Sequence, residues 1–440
     1  MKKLFLLAVA GLALASCAPK GEQTPVLKVK VTNTLGFDRN GELADVSWDA
    51  IRQKLGISTT DSLVVLNAKG EQLPYQLSKM NPHMETVMFP ATVVANGSAE
   101  YRFTIGQPEE FAPVVAGRQY PERVDDFAWE NEFSAYRCYG PDLQASGERA
   151  YGFDVWTKAN TRDLVVESRY NSESGARHEI DSLKAAGNKA AADSVNYATS
   201  YHFDHGFGLD CYKVGATLGG GAPALYKDGE IIYPYCYTDY EILEEGPLAM
   251  YVKFDFEKKT LDGKEYTEHR ILGVQAGSRM NMMVVIYEGL SDEDAQVAAG
   301  IVTHTESAEY VINPEKKYIA YADPTDPSQG GVDVNGKIFI GIVAPFMADA
   351  KIQPWGQKEN PLDMKARSGA TGHVLAIMPT KNATAFYFFG SSWSKGDMAD
   401  MAAWEKYLDE FSQKSAPKNF LQLEYEGKPE MPKPADAPQE

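Results

Sequence analysis

Apolar and polar positions alternate along much of this chain. From Val26 to Thr32, Leu27, Val29 and Val31 interleave with Lys28, Lys30 and Thr32, the period of a half-buried strand. Leu63 to Asn67, Thr86 to Phe89 and Glu100 to Ile105 read as further strands, with turn signals at Ala68-Lys69-Gly70 and Ala95-Asn96-Gly97. A short helix is predicted from Ser47 to Leu55, capped by Ser47 or Asp49. These elements predict a small β-sandwich over residues 27–112, and Gly106 to Pro121 reads as the linker out of it. From about Glu122 to Leu423 strands recur between glycine-punctuated, aromatic turns. Two helices interrupt them. Arg177 to Ala198 sets Ile180, Leu183 and Ala186 at helical spacing, a helical insertion between strands. Met398, Met401, Trp404, Tyr407, Leu408 and Phe411 form the stripe of a C-terminal helix, with Asp397 as its cap and the sheet as its packing partner. The fold class is mainly β, with a second domain over 120–425. The tail 426–440, rich in Pro and Glu, reads as disordered.

Period-two parity also sorts the chemistry. Taken as a strand, Tyr201 to Gly215 (YHFDHGFGLDCYKVG) puts Phe203, His205, Phe207, Leu209 and Cys211 on a core face. His202, Asp204, Gly206, Gly208, Asp210 and Tyr212 fall on the other. Two glycines at period two predict close approach by a ligand or by another backbone. Nearby, Asp154, Trp156 and Lys158 oppose Phe153 and Val155, Arg137 and Tyr139 oppose Tyr136 and Cys138, and Glu268 shares a face with Arg270. The pattern predicts a wet, concave binding face, since Trp156, Tyr139 and Tyr212 are costly to expose without a use. His202-Phe203-Asp204-His205 is a cluster of metal-ligand types, but a strand turns His202 and His205 to opposite faces, so no metal is predicted. Calcium held by Asp side chains and carbonyls is left open, although no calcium-loop pattern occurs. Gly390-Ser391-Ser392-Trp393 is no nucleophile elbow. His83, His178, His269, His304 and His373 read as structural or surface residues.

Charge narrows the partners. The 440 residues hold 43 Lys plus Arg against 61 Asp plus Glu, a formal charge of −18, with no basic run. That excludes nucleic acid, whose phosphates demand clustered cations. Phosphate-loop and dinucleotide fingerprints are absent too. At the start, Lys2 and Lys3 precede an apolar run from Leu4 to Leu14 and the ending Leu14-Ala15-Ser16-Cys17. The run is a signal peptide (1–16), too short to span a bilayer. Its ending looks like a bacterial lipobox, which makes Cys17 the acylated first residue, followed by a tether over 17–26. Processing leaves 424 residues with a formal charge of −20. A lipid anchor then holds a soluble body to a membrane. The polar segment after Cys17 lacks an acidic cluster, which favours the periplasmic face of the outer membrane over the cell surface. Of the other cysteines, Cys138, Cys211 and Cys236 cannot all pair and read as buried thiols.

At Trp129-Glu130-Asn131, Tyr136-Arg137-Cys138-Tyr139-Gly140-Pro141, Asp154-Val155-Trp156-Thr157-Lys158 and His202 to Gly215, the chain resembles an uncharacterised family of Bacteroidetes lipoproteins. They carry only a domain-of-unknown-function name and are often encoded in polysaccharide-utilisation loci. The resemblance runs from about Leu27 to Leu423. Members often have an acidic residue where Phe207 stands, so no role is carried to it, and the insertion Arg177 to Ala198 looks longer than usual. The family is similar to galactose-mutarotase-like proteins, which implies a large antiparallel β-supersandwich with a concave sugar groove. Fold does not dictate function.

Two function classes follow. One is an enzyme on a uronic-acid-containing oligosaccharide or polysaccharide, a lyase or a hydrolase, without a cofactor. Elimination needs a base, an acid and cations for the uronate, for which His202, Tyr212, Arg137, Lys158 and Arg270 are candidates, with Asp154 and Asp210 as further binding groups. Hydrolysis would use Asp204 and Asp210, although six residues of strand separate them by about 20 Å at roughly 3.3 Å each. The other class is a non-catalytic glycan-binding lipoprotein that stacks sugars on Trp156, Tyr139 and Tyr212. A folding or assembly role ranks behind both.

The lipobox reading predicts that Cys17→Ser releases the mature body from membranes or leaves an unprocessed precursor. Normal processing and unchanged membrane partitioning of that variant would contradict it.

Overall fold

The computed structural model describes residues 24–429 apart from 160–162, 306–308, 356–366, 368 and 397. The predicted signal peptide, Cys17, most of the predicted tether, Asp397 and nearly all of the predicted tail lie outside the described residues. Among the described residues the strands form five sheets whose ladders are antiparallel, and the fold is mainly β. No described helix is long and apolar enough to cross a membrane.

The alternation from Val26 to Thr32 builds the first core. Leu27, Val29 and Val31 are buried with Phe89, Phe103 and Ile51, while Lys28 and Lys30 face solvent. Val26–Thr32 pairs with Ser98–Ile105 on one side and with Gln422–Glu424 on the other. The C-terminal strand thus returns to this first sandwich, and Leu421, Leu423 and Tyr425 pack on its core. Ser47 Oγ accepts from Ala50 N at 3.3 Å and caps the helix Trp48–Leu55. The predicted linker is not all linker, because Val115–Tyr120 is a strand of the next sheet. Gln76 ties the two regions together. Its side chain accepts from Leu248 N (3.0 Å) and Ala249 N (2.9 Å) and donates to Ala249 O and to Glu244.

A nine-stranded and a five-stranded sheet enclose the main core. Leu272, Val285, Tyr387 and Phe389 of the first meet Val297, Ile301 and Leu375 of the second, all fully buried. The helix Met401–Ser415 covers the outer side of the larger sheet, where Trp404, Leu408 and Phe411 pack on Tyr318, Ala320 and Phe339. Asp400 caps it, accepting from Ala403 N at 2.9 Å.

A four-stranded sheet of Val115–Tyr120, Asp126–Asn131, Ser134–Cys138 and Phe153–Thr157 extends the sandwich. Its inner face sends Phe127, Trp129, Tyr136 and Phe153 into the main core, with the Phe153 ring 4.9 Å from Phe389. Its outer face carries the polar set, as parity predicts. That face is not open. A helical hairpin, Val166–Ala185 and Lys189–Thr199, lies over it and buries Trp156 beneath Tyr170 and Tyr201. The first helix begins eleven residues before the predicted insertion, because its cap comes from far away in sequence. The Glu130 carboxylate accepts from Val165 N (2.9 Å) and Val166 N (2.8 Å), using the orphan donors and positive end of that helix. Lys158 Nζ holds Glu130 in place at 2.9 Å and donates to the carbonyls of Asn131 and Asp163.

Removing one partner of a buried ion pair costs about 3–5 kcal/mol. Lys158→Ala is expected to destabilise by that order in urea unfolding and to raise proteolysis within residues 166–199. A loss below about 1 kcal/mol would contradict the anchoring role.

Candidate functional site

Beneath the hairpin, Arg137 meets three carboxylates. Its guanidinium bonds to Asp154, lies 3.1 Å from Asp210 Oδ2 and sits 3.5 Å from Asp126 Oδ2. It also lies over the rings of Tyr139 (5.1 Å) and Trp156 (5.9 Å). Three carboxyls share one cation here, with Arg123 nearby, and both affected acids respond. Burial, with the Asp154 charge, pushes Asp210 up to about 7 against the pull of Arg137 and His202. Burial likewise raises Asp126 to about 6 against Arg137 and Arg123. Asp126 Oδ1 has no hydrogen-bond partner. Among the described residues no group of three His, Cys, Asp or Glu is placed to hold a metal ion. In this cluster the guanidinium is the counter-charge.

The strand predicted over 201–215 does not form. Gly206 and Gly208 adopt φ of +91° and +86°, and this turns the chain and voids the parity. The glycine spacing reflects another backbone: a Cβ on Gly208 would lie 2.1 Å from Thr157 O. Asp204 is exposed and accepts from Gly206 N (2.8 Å) and Gly208 N (3.1 Å), so it shapes the turn. His202 Nδ1 lies 3.0 Å from Asp210 O and 3.3 Å from Gln329 Nε2. Beyond it, Tyr197 and Phe207 expose their rings, 55% and 43% accessible.

On the far side of Gln329 a cavity of about 360 Å³ opens, lined by His304, Asp323, Lys213, Asp326, Thr325 and Val332 among others. His304 follows the strand Gln296–Thr303 of the five-stranded sheet, and Asp323 ends the strand Tyr318–Asp323 of the nine-stranded one. The two layers thus bring them together. His304 Nδ1 lies 2.6 Å from Asp323 Oδ2, while Asp323 Oδ1 accepts from Thr325 N at 2.8 Å. His304 Nε2 has no hydrogen-bond partner among the described residues. Thr325 holds φ +62°, rare for a β-branched residue. Lys213 Nζ pairs with Asp326 Oδ1 at 3.0 Å. Burial opposes the charge on Asp326, but hydrogen bonds from Ser328 and Lys213 outweigh it and hold its pKa below the usual value. Tyr212 packs edge-on to His304 at 5.9 Å, its hydroxyl buried without a partner.

The model of the domain of unknown function DUF4861 matches residues 31–418, a span that includes the main core, most of the first core and the cavity. The chain belongs to this family. The DUF4861 chain is also similar to the uncharacterised protein P7 of Formosa agariphila, 24% identical over 429 residues that cover 93% of this chain and 96% of that one. Among solved structures it is similar to two from Enterococcus faecalis, a protein in glycosyl hydrolase family 38 (TM-score 0.43, 7% identity) and an alpha-mannosidase (0.41, 8%). Each match covers 92% of this chain, which spans about half the length of either, 48% and 46%.

Within the DUF4861 domain, Arg137, Tyr139, Asp154, Trp156, Asp210 and His202 come together, but under the hairpin rather than on an open groove. Trp156 is 3% exposed and cannot present its face to a sugar in this conformation. Lys158 turns to Glu130. Arg270 is elsewhere, buried in the main sandwich against Glu268 (2.6 Å) and the carbonyl of Pro223 (3.0 Å). None of the three candidate uronate-binding cations lines the cavity. The residues that sequence reading missed are His304, Asp323, Lys213 and Asp326. One signal was present: Asp323-Pro324-Thr325-Asp326-Pro327 is too dense in turn formers to be a plain connection.

Ionising an acid whose pKa is raised by folding favours the unfolded chain. The contribution of Asp210 and Asp126 is therefore complete below about pH 4 and is lost as pH rises through 6 and 7. Asp210→Asn is expected to flatten the fall in stability between about pH 4 and 7, measured by urea unfolding. An equal fall in variant and wild type would contradict the assignment.

Proposed function

We propose that this protein is an exported, lipid-anchored carbohydrate-active enzyme that takes a uronic-acid-containing oligosaccharide into the cavity beside His304 and cleaves it, by elimination in preference to hydrolysis. The observation that carries the reading is the cavity itself. Its 360 Å³ falls within the usual range of roughly 300–1,000 Å³ for small-ligand sites. Its wall mixes proline, glycine and valine surface with carboxylates, a threonine, an imidazole and an ammonium, a set suited to a hydroxylated ring. The exposed rings of Tyr197, on the helix Lys189–Thr199, and of Phe207, on the loop that carries His202, offer sugar-stacking surface. The acidic balance of the chain does not forbid an anionic ligand. Charges beyond a Debye length of about 8 Å are largely screened, and Lys213 stands in the wall. The lipobox-like ending at Cys17 supports an envelope compartment, where such oligosaccharides pass.

The test is a screen of the purified mature protein on acidic and neutral oligosaccharides. Elimination shows as ultraviolet absorbance of an unsaturated uronate, and hydrolysis as product mass. The expected result is absorbance growing with time on an acidic oligosaccharide. Binding of several glycans with no cleavage would assign the protein to the non-catalytic class, and no glycan binding would end the carbohydrate reading.

A further inference from the structure

We infer that His304, held by Asp323, is the proton-transferring group of this site, and that Lys213 receives the uronate carboxylate. The inference rests on the glycan reading above and replaces His202 as the candidate base. Three observations carry it. First, both oxygens of Asp323 are engaged, one by Thr325 N at 2.8 Å and one by His304 Nδ1 at 2.6 Å, and Asp323 is 1% exposed. The imidazole is thereby fixed with its proton on Nδ1, which leaves the Nε2 lone pair free. Second, His304 lines the cavity, whereas His202 does not. Third, the strain at Thr325, a cavity residue, is maintained by bonds from its own N to Asp323 and from its Oγ to the carbonyls of Pro324 (2.6 Å) and Gly336 (3.2 Å). A backbone held in a sparsely populated region beside a dyad fixes the carboxylate that fixes the imidazole.

The step balances with no co-reactant. Nε2 takes the proton from the sugar carbon next to the carboxylate, and the C–H electron pair becomes the ring double bond. The bond from the neighbouring carbon to the glycosidic oxygen breaks with its pair on that oxygen. The imidazolium proton then passes to the oxygen directly or through water. Lys213 Nζ, about a third exposed in the wall and paired with Asp326 at 3.0 Å, shares its charge with the uronate and offsets the negative charge that builds as the carbon loses its proton.

The experiment measures cleavage and binding together, with oligosaccharides of polygalacturonate, alginate and hyaluronan as probes. For His304→Ala the expected result is a fall in turnover of about 10²–10⁴-fold with binding retained within about threefold. Asp323→Asn, as a positioning change, is expected to lower kcat with KM nearly unchanged. Lys213→Met is expected to raise KM for the acidic probes. His83→Ala, in an exposed turn of the first sandwich, serves as the comparison and keeps wild-type rates. A measurement independent of any substrate is nitrogen NMR of the His304 ring, for which Nδ1 protonated and Nε2 bare is expected. Wild-type cleavage that survives in His304→Ala, or an Nε2-protonated ring, overturns the inference while leaving the glycan reading intact. Binding without cleavage of any probe also overturns it. A wild type that binds none of them overturns the reading on which it rests.

Discussion

The burial of Arg137 among Asp126, Asp154 and Asp210 is the constraint around which the rest of the molecule is arranged. Charges away from water need partners at close range, since desolvating each costs several kcal/mol. The outer face of the four-stranded sheet supplies those partners, and the helical hairpin supplies the cover. The hairpin in turn is held by a second buried pair, Glu130 with Lys158, which joins its first helix to the same sheet. Remove either and the other loses its surroundings. The two pairs make one unit of roof and floor, and this unit closes off the face on which a sugar groove was expected.

How much of this was legible follows from the reach of each signal. Period two set the first sandwich, where Leu27, Val29 and Val31 point inward as read. The same parity put Arg137, Asp154 and Trp156 on one face, opposite Tyr136 and Val155, and that too holds. Parity says which residues share a face and nothing about what lies over it. The cover comes from residues 166–199, and the start of that cover is capped by Glu130, thirty-six residues before the helix's first residue, so no local cap signal marks it. Over 201–215 the alternation failed for a different reason: Gly206 and Gly208 sit at positive φ, and a strand cannot pass through them. His304 read as structural or surface, and Asp323 drew no reading, because one follows a strand of one sheet, the other ends a strand of the opposite sheet, and they meet only when the sandwich closes.

The proposed function then falls to the edge of the sandwich. There the ends of two layers leave a cavity, the turn-rich Asp323 to Pro327 segment lines it, and an imidazole keeps one nitrogen free. His202 stands near both regions, its Nδ1 within reach of Asp210 O and of Gln329 Nε2. The division is between a floor closed under the hairpin, where Trp156 is 3% exposed, and an edge where His304 lines a cavity. Membership of the DUF4861 family, matched over 31–418, covers both parts with one model.

The measurement that bears most directly on this account is a crystal structure of the protein with an acidic oligosaccharide bound. The account predicts density in the cavity, with a sugar ring within hydrogen-bond reach of His304 Nε2, a carboxylate toward Lys213, and the hairpin in place over Trp156. A sugar stacked on Trp156 beneath a displaced hairpin, with the His304 cavity empty, would contradict it.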